Sequence, residues 1–384
     1  MIRVLSVFGT RPEAIKMAPV VKELERRTDI RSTVCVTGQH RQMLDQVLQV
    51  FGLLPDYDLD IMRDGQSLSA ITNAALTGLE PVLNELRPEL VLVHGDTSTC
   101  LAAALAAYYH QIPIGHVEAG LRSYDKYSPF PEEMNRQLTD RLSDLLFAPT
   151  ELSRIQLLRE GIPDDRIFVT GNTVVDALRF TVNQDDPLPM PVDLRPGQRL
   201  LLLTAHRREN LGEPIRRIYR AARRLSETFG DLVIVCPMHM NPAVRNAVHE
   251  ILSGCERIRL LEPPDVLTFH KLLSRACLVL TDSGGIQEEA AALNKPVLVL
   301  RDTTERPEGI SAGVLRLVGT DEDRIFLQAS RLLRKPEELA LMSAAANPFG
   351  DGHACERIAD IIEEQYPFNK PHEKSDRQIT YADR

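Results

Sequence analysis

Short apolar runs alternate with longer helical patterns along most of this chain, and this alternation limits the possible folds more than any other feature. The runs IRVLSVF (2–8), ELVLVHGD (89–96) and RLLLLTAH (199–206) are examples. Strands that are apolar on both faces and are each followed by a helix are typical of a parallel sheet with helices on both sides. The sequence therefore predicts an α/β protein built from doubly wound, Rossmann-like sheets.

The alternation stops once, near the middle of the chain. Residues 183–198 (NQDDPLPMPVDLRPGQ) contain four prolines and no apolar periodicity, which is typical of a surface excursion. A chain of 384 residues is also too long for one ordinary core. We expect a first Rossmann-like domain over 1–172, a second over 173–365 whose last helix (354–365) packs back on the first, and a polar tail over 366–384.

Composition excludes two classes of protein. The chain has 45 Lys and Arg against 54 Asp and Glu, a net charge of −9, and 5% aromatic residues. Nucleic-acid binding needs a basic face, so we expect no nucleic-acid partner. No apolar run approaches the roughly 20 residues that span a bilayer, and the first residues lack the pattern of a signal peptide. We therefore expect no membrane partner and a cytoplasmic location.

Familiar cofactor and metal signatures are missing from the sequence. The six cysteines include no CxxC pair, which favours reduced, buried thiols over a zinc or redox site. The chain has neither a GxGxxG fingerprint nor a GxxxxGK[ST] loop. We therefore expect no cofactor and no metal.

Ionisable side chains gather where seven of the predicted strands and their loops end. They are Arg11 with Lys16, Asp96, Glu118 with His116 and Arg122, Glu132 with Arg136, His206 with Arg207, the DSGG segment (282–285), and Arg301 with Arg306. A single group of this kind is explained equally well as a helix cap; Asp96 or Thr97, for example, could cap the helix that follows. Seven at one edge favour a ligand site, because ligands of these sheets bind beyond the carboxyl ends of the strands.

The DSGG segment (282–285) has the features of an anion site. An apolar strand ends there and a helix begins, so glycines allow close approach and the helix N-terminus offers free N–H groups. Alternatively, the glycines would only allow the strand and the helix to pack tightly. Arg11, Arg207 and Arg306 at nearby strand ends favour binding of a diphosphate. Glu289, one turn into the helix, could accept hydrogen bonds from the hydroxyls of a ribose.

Three carboxylates, Asp96, Glu118 and Glu132, indicate proton transfer rather than metal binding, because no metal-ligand spacing surrounds them. His206 could be a buried structural histidine, but the two arginines that follow it favour a role in the site. His239 stands between two prolines, which indicates a loop position.

Eight ordered motifs give the chain a family resemblance. FGTRPEAIKMAP, HGDTSTCLA, GHVEAGLR, SPFPEEMNR, GNTVVDAL, TAHRRENLG, DSGGIQEEA and LRDTTERPEG together resemble the non-hydrolysing bacterial UDP-N-acetylglucosamine 2-epimerases, from about residue 2 to residue 365. The resemblance implies the glycosyltransferase-B fold, in which two Rossmann-like domains face each other across a cleft. The alternation of elements alone also allows two domains side by side.

The resemblance further implies an isomerase that works without NAD or metal. It would interconvert UDP-GlcNAc and UDP-ManNAc by eliminating UDP to leave 2-acetamidoglucal and then adding UDP back. The family is usually dimeric, so a homodimer is expected, and its product feeds cell-surface polysaccharides.

Roles for individual residues also follow from the resemblance. The implied catalytic set is Asp96, Glu118, Glu132, Arg136 and His206, with His206 supporting the diphosphate. The implied UDP contacts are Arg11, Lys16, Phe269, Ser283, Gly284, Gly285, Glu289 and Arg306; Pro264 stands where many members have Gln. A second UDP-GlcNAc, acting as activator, would contact Gln39, Gln42, Glu132, Arg207 and His239, although Gly65 stands where some members have Arg.

Other functions remain open at this point. A glycosyltransferase lacks support because no basic or apolar patch for a lipid acceptor is recognised. A hydrolysing epimerase would be expected to carry a kinase-like segment, which does not follow residue 365. A sensor that binds nucleotide sugars without turnover would not favour three carboxylates beside an anionic ligand.

Overall fold

The computed structural model describes residues 1–38, 41–63, 65–182 and 190–366, without the side chains of residues 41–43. These residues form two parallel sheets with helices on both faces. The predicted tail (366–384) lies outside them except for Tyr366, and so does part of the predicted surface excursion. The predicted α/β class and doubly wound sheets are confirmed.

The first sheet has seven strands in the order β3-β2-β1-β4-β5-β6-β7. The strands are β1 (Ile2–Phe8), β2 (Ile30–Val36), β3 (Tyr57–Asp58), β4 (Leu90–His94), β5 (Ile114–Val117), β6 (Leu145–Ala148) and β7 (Ile167–Val169). The helices of this part are α1 (Arg11–Arg26), α2 (Arg41–Val50), α3 (Leu68–Leu86), α4 (Ser98–Tyr109), α5 (Glu132–Leu142), α6 (Glu151–Arg159) and α7 (Thr173–Thr181).

The second sheet has six strands in the order β10-β9-β8-β11-β12-β13. The strands are β8 (Arg199–Thr204), β9 (Leu232–Pro237), β10 (Ile258–Leu261), β11 (Ala276–Thr281), β12 (Val297–Val299) and β13 (Leu315–Leu317). The helices are α8 (Glu213–Thr228), α9 (Pro242–Leu252), α10 (Val266–Arg275), α11 (Gly284–Ala292), α12 (Pro307–Ala312), α13 (Glu322–Arg334), α14 (Pro336–Ser343) and α15 (Ala354–Gln365).

Strand order places a ligand edge in each sheet. The chain reverses direction across the sheet between β1 and β4 in the first sheet, and between β8 and β11 in the second. The loops beyond the carboxyl ends of strands at such a reversal form a crevice, which is where ligands of this class of sheet bind. The loops after β1, β4, β8 and β11 are therefore the first places to look for a site.

The start of α1 illustrates how the sequence directs these elements. Thr10 caps the helix by accepting a hydrogen bond from the Glu13 amide, and the Glu13 carboxylate reaches back to the Thr10 amide at 2.8 Å. Pro12 occupies the first turn, where its missing N–H is not needed. This capping box fixes the direction in which α1 leaves β1, and with it the positions of Arg11 and Lys16.

The last described helix, α15, returns to the first sheet. Its buried residues Ile358, Ala359 and Ile362 belong to the same apolar core as Val21 and Leu24 of α1. The bounds of the two domains remain a prediction. None of the helices within the described residues is both long and apolar enough to cross a membrane.

The sequence did not predict α6, α7, α10 and α12. Helix α7 shows why: seven of its nine residues are buried, so it has little polar face from which a helical period could be recognised. It packs between α1 and the helices α10 and α11 of the second sheet.

Candidate functional site

The carboxyl edges of the two sheets face each other and are joined by direct contacts. Lys16 Nζ on α1 lies 3.0 Å from Glu288 Oε2 on α11. The Arg11 guanidinium donates to the Pro264 carbonyl at 3.4 Å, and the Thr150 hydroxyl donates to Glu308 Oε1 at 2.6 Å. The two sheets therefore enclose a cleft, as in the glycosyltransferase-B arrangement, and do not lie side by side.

A buried ionic cluster lies in this cleft. Lys16 pairs with Glu118, which follows β5, and with Glu288. The Arg306 Nε donates to the other oxygen of Glu288 at 2.8 Å. Burial alone would lower the pKa of Lys16, but the two carboxylates outweigh it and raise that pKa. Burial likewise opposes the charge of Glu118, yet Lys16 holds the pKa of Glu118 well below its ordinary value. Glu118 is therefore ionised at neutral pH.

Glu118 also has an unusual backbone. Its φ is +68°, in the left-handed region that residues other than glycine rarely adopt. Such conformations persist where the surroundings enforce them, and they concentrate at functional sites. Asn172 Nδ2, at the start of α7, donates to Glu118 Oε2 at 3.0 Å and helps to hold the side chain.

A second acidic group lies beyond β4. Arg136 Nη2 is 3.0 Å from Asp96 Oδ2, and Asn135 Nδ2 donates to the Asp96 carbonyl at 2.8 Å. Thr97, not Asp96, caps α4 through its side chain, so the carboxylate of Asp96 is left to face Arg136. Glu132 Oε2 is buried and has no hydrogen-bond partner among the described residues. Burial, with a contribution from the charge of Asp96, raises the pKa of Glu132.

The start of α11 has the geometry of an anion site. The first amide N–H groups of a helix have no intrahelical partner, and the side chain of Ser283, which precedes α11, does not cap them. A Cβ at Gly284 would lie 2.8 Å from Arg306 Nη1, so glycine is needed for the guanidinium to approach this turn. Nothing lies within 4 Å of a Cβ at Gly285. N–H groups and a cation therefore converge here.

His206 and His239 stack against each other at this edge. Their ring centroids are 4.9 Å apart and the rings are inclined by 5°. Burial lowers the pKa of both histidines. The fully buried carboxylate of Asp282 fixes the loop by accepting hydrogen bonds from the amides of His206 and Arg207, each at 2.9 Å. Asp282 is thus structural, which its position directly before the glycines of the DSGG segment did not reveal.

The far end of the cleft lies between α1 and α10. Arg11 contacts Pro264 here, and burial lowers the pKa of Arg11 while the charge of Glu289 opposes that change. Glu289 Oε2 lies 3.6 Å from Nε2 of the buried His270. Phe269 is half-buried against the core of the second sheet and tilts against the His270 ring. An aromatic ring, a carboxylate and a guanidinium are the groups that a nucleoside would need.

A family model for UDP-N-acetylglucosamine 2-epimerase matches residues 22–363 of the chain. The chain belongs to the UDP-N-acetylglucosamine 2-epimerase family. The UDP-N-acetylglucosamine 2-epimerase of Bacillus subtilis is 53% identical over 369 residues, which cover 96% of this chain and 97% of that one. The resemblance recognised in the sequence is therefore confirmed.

Solved structures agree with this assignment to the epimerase family. The UDP-GlcNAc 2-epimerase from Neisseria meningitidis, bound to UDP-GlcNAc, is 47% identical, covers 94% of this chain and all of its own, and has a TM-score of 0.89. A glycosyltransferase of kitacinnamycin shares the fold at 15% identity, with a TM-score of 0.63 and coverage of 95% of this chain and 99% of its own.

Some strand-end groups of this epimerase family member support the structure and do not face the cleft. His116 Nδ1 is 2.6 Å from Asp140 Oδ1, and Arg122 pairs with Asp140 and Glu160. Arg301 pairs with Glu209 and Glu305. The sequence placed these groups at the ligand edge together with the others, and only their contacts separate them.

Part of the predicted activator site cannot be placed. Gln39 and the side chain of Gln42 lie outside the described residues. Arg207 and His239 lie beside His206, and the charge of Arg207 acts on Glu132. Gly65 has a φ of +71° with open space around it. Within the described chain, no group of three or more His, Cys, Asp and Glu residues could hold a metal ion.

Proposed function

We propose that this protein is a non-hydrolysing epimerase that interconverts UDP-GlcNAc and UDP-ManNAc. The contact between Lys16 and Glu288 carries the proposal, because it brings the carboxylates of the first sheet beside the anion site of the second. UDP elimination requires a base close to a site that binds the diphosphate. The N. meningitidis relative, whose structure holds UDP-GlcNAc, supports the choice of ligand.

Elimination follows from the chemistry of the sugar. Carbon 2 has no neighbouring carbonyl carbon, so its proton is too weakly acidic for simple removal. A base takes that proton while the electron pair forms the C1–C2 double bond and the C1–O bond breaks, which releases UDP and leaves 2-acetamidoglucal. UDP then adds back to C1, and C2 takes a proton on its other face. The net change is the configuration at C2.

Glu118 and Glu132 differ in a way that suits proton transfer on the two faces of C2. Glu118 is ionised and is held by Lys16 and Asn172, so it is fit to accept a proton. Glu132 has a raised pKa because it is buried, so it is fit to hold and deliver a proton on the side of Asp96 and Arg136. We propose that these groups exchange roles between the two directions of the reaction.

The departing UDP would be held by the second sheet. The N-terminus of α11, with Ser283, Gly284 and Gly285, and the guanidinium of Arg306 would stabilise the negative charge that develops on the diphosphate. His206 would support the diphosphate from the adjoining loop. Arg11, Glu289 and Phe269 would contact the nucleoside, and Lys16 would move between Glu118 and the diphosphate.

Incubation with UDP-GlcNAc in deuterated water tests this function. We expect UDP-ManNAc with deuterium at C2, because the proton removed from the sugar exchanges with solvent before the other face is protonated. Mass spectrometry and proton NMR of the sugars would measure both. Free ManNAc with UDP would indicate a hydrolysing enzyme, and binding without exchange would indicate a sensor; either would overturn the proposal.

We also propose that a second UDP-GlcNAc binds beside Arg207 and His239 as activator, that the protein is a homodimer and that it acts in the cytoplasm. The stack of His239 on His206 would connect the activator to the diphosphate site. The same exchange experiment, started from UDP-ManNAc alone, should then show a lag that added UDP-GlcNAc removes. A linear start would contradict activation.

UDP binding should change the titration of His206. Burial lowers its pKa below the ordinary value of about 6.5 in the free protein, and a diphosphate close by favours the imidazolium and raises it. Binding should therefore take up a proton, and UDP affinity should increase as pH falls between the free and bound pKa values. NMR titration of the His206 ring would measure both values; a bound pKa no higher than the free one would contradict the proposed contact.

A further inference from the structure

The ring of His94 is buried and makes no hydrogen bond to the described residues. It ends β4 after four buried aliphatic residues, and 4% of it is exposed. Both ring nitrogens are shielded from solvent, and neither has a hydrogen-bond partner among the described residues. A buried polar atom without a partner costs stability, so packing alone would favour an aliphatic residue here, as in the rest of the strand. Such an orphaned group calls for a functional explanation.

The ring of His94 lies near two carboxylates, those of Glu118 and Glu13. In the pairing of β4 with β5, His94 lies opposite Val117, the residue before Glu118. Its Nε2 is 3.6 Å from Glu118 Oε2, about half an ångström beyond a hydrogen bond. On α1, the buried carboxylate of Glu13 also acts on His94, but amides and the Thr97 hydroxyl already occupy its oxygens. Glu118 is therefore the partner within reach.

Lys16 currently occupies the position that His94 could take. The hydrogen bonds that the Glu118 carboxylate accepts from the described residues Lys16 and Asn172 both meet Oε2. Lys16 is shared with Glu288. A nucleotide diphosphate entering the cleft brings negative charges that compete for Lys16. As Lys16 turns to them, Oε2 of Glu118 loses a donor, and the unpaired Nε2 of His94 lies 3.6 Å from it.

We propose that His94 is the positioning residue of Glu118: with nucleotide sugar bound, its Nε2–H hydrogen-bonds Glu118 Oε2 in place of Lys16. The carboxylate thereby stays ionised and oriented while Oε1 is free for the sugar. This inference rests on the proposed epimerase function, and it explains a histidine that the fold itself does not need.

Two variants separate positioning from packing. His94→Leu keeps the volume but removes the donor, so we expect kcat to fall about 10- to 100-fold, with KM unchanged and a melting temperature no lower than that of the wild type. His94→Gln places its amide nitrogen where the ring Nε2 lies, so it should recover most of the lost kcat. His110→Gln, at the end of α4 and away from the cleft, controls for the loss of a histidine.

The pH profile of kcat gives a readout that a structural role would not move. Glu118 is faced by Lys16 of α1, by Glu288 of α11, by Arg306 and by His94, and His94 is also faced by Glu13. Of these groups, only His94 changes in His94→Leu. The ionised carboxylate of Glu118 then loses a donor and is less stabilised, so the acidic limb of the kcat profile should move to higher pH. His94→Gln should leave the limb in place.

The results distinguish failure of the proposed epimerase function from failure of the role proposed for His94. A wild type that does not epimerise overturns the proposed function, and this inference with it. An active wild type together with His94→Leu of equal kcat and equal pH profile overturns the role of His94 alone. His94→Gln that is no better than His94→Leu, both being folded, also overturns positioning by a hydrogen bond.

Discussion

Replacing Glu118 by Gln is expected to lower kcat about 10²- to 10⁴-fold, the usual contribution of one acid–base group. The amide has nearly the same shape and can still accept a hydrogen bond from Lys16, but it cannot take the C2 proton. Lys16 keeps Glu288 as its partner, so the melting temperature should change little. Initial rates of UDP-ManNAc formation measure the effect, and calorimetry should show unchanged UDP affinity.

Glu308→Gln is the matched control for this substitution. Glu308 is another glutamate at the contact between the two sheets, where it accepts a hydrogen bond from Thr150, and it has no part in the proposed chemistry. Its variant should keep the wild-type kcat. If Glu118→Gln also keeps that rate, Glu118 does not transfer the proton, and the base must be sought at Asp96 or Glu132.

The fold class was predictable because strands buried on both faces are apolar along their whole length. Strand β8, with the sequence RLLLLT, has five buried residues, four of them leucines, and is recognisable by itself. The last helix, predicted over 354–365, is α15 (Ala354–Gln365), with the predicted bounds. Helix α7 was not predicted, because burial on nearly all sides removes the period on which such a prediction depends.

The position of the candidate site at the carboxyl ends of the strands could be predicted from topology, but the contacts that each of its side chains makes could not. Glu118 and His116 stand two residues apart at the end of β5; the sequence singled out Glu118 as a candidate for proton transfer but gave His116 no role. The structure separates them by contacts: Lys16 holds Glu118 in the cleft, and Asp140 holds His116 inside the fold. His94 was not recognised because the orphaned state of its nitrogens exists only in three dimensions.

Replacing Asp140 by Ala is expected to lower the free energy of unfolding by about 3–5 kcal/mol, as when one partner of a buried ion pair is removed. Asp140 is 1% exposed, and its carboxylate contacts His116 at 2.6 Å, Arg122 at 2.7 Å and the Gly120 amide at 3.2 Å. Burial opposes its charge, but His116 and Arg122 hold its pKa below the ordinary value. The variant leaves His116 Nδ1 and the Gly120 amide buried without this acceptor, while Arg122 keeps Glu160 as its partner. Urea unfolding followed by circular dichroism would measure the loss.

Glu160→Ala tests whether burial is the cause of that loss. Glu160 contacts the same guanidinium of Arg122, at 2.6 Å, but its own side chain is 28% exposed. Water can replace it, so its removal should cost about 0–1 kcal/mol. Equal losses in the two variants would mean that the charge of Arg122, and not the buried position of Asp140, controls stability. A large loss for Asp140→Ala alone would show that the carboxylate sealed inside the fold, and not the partly exposed Glu160, holds His116 of β5 and Arg122 in place.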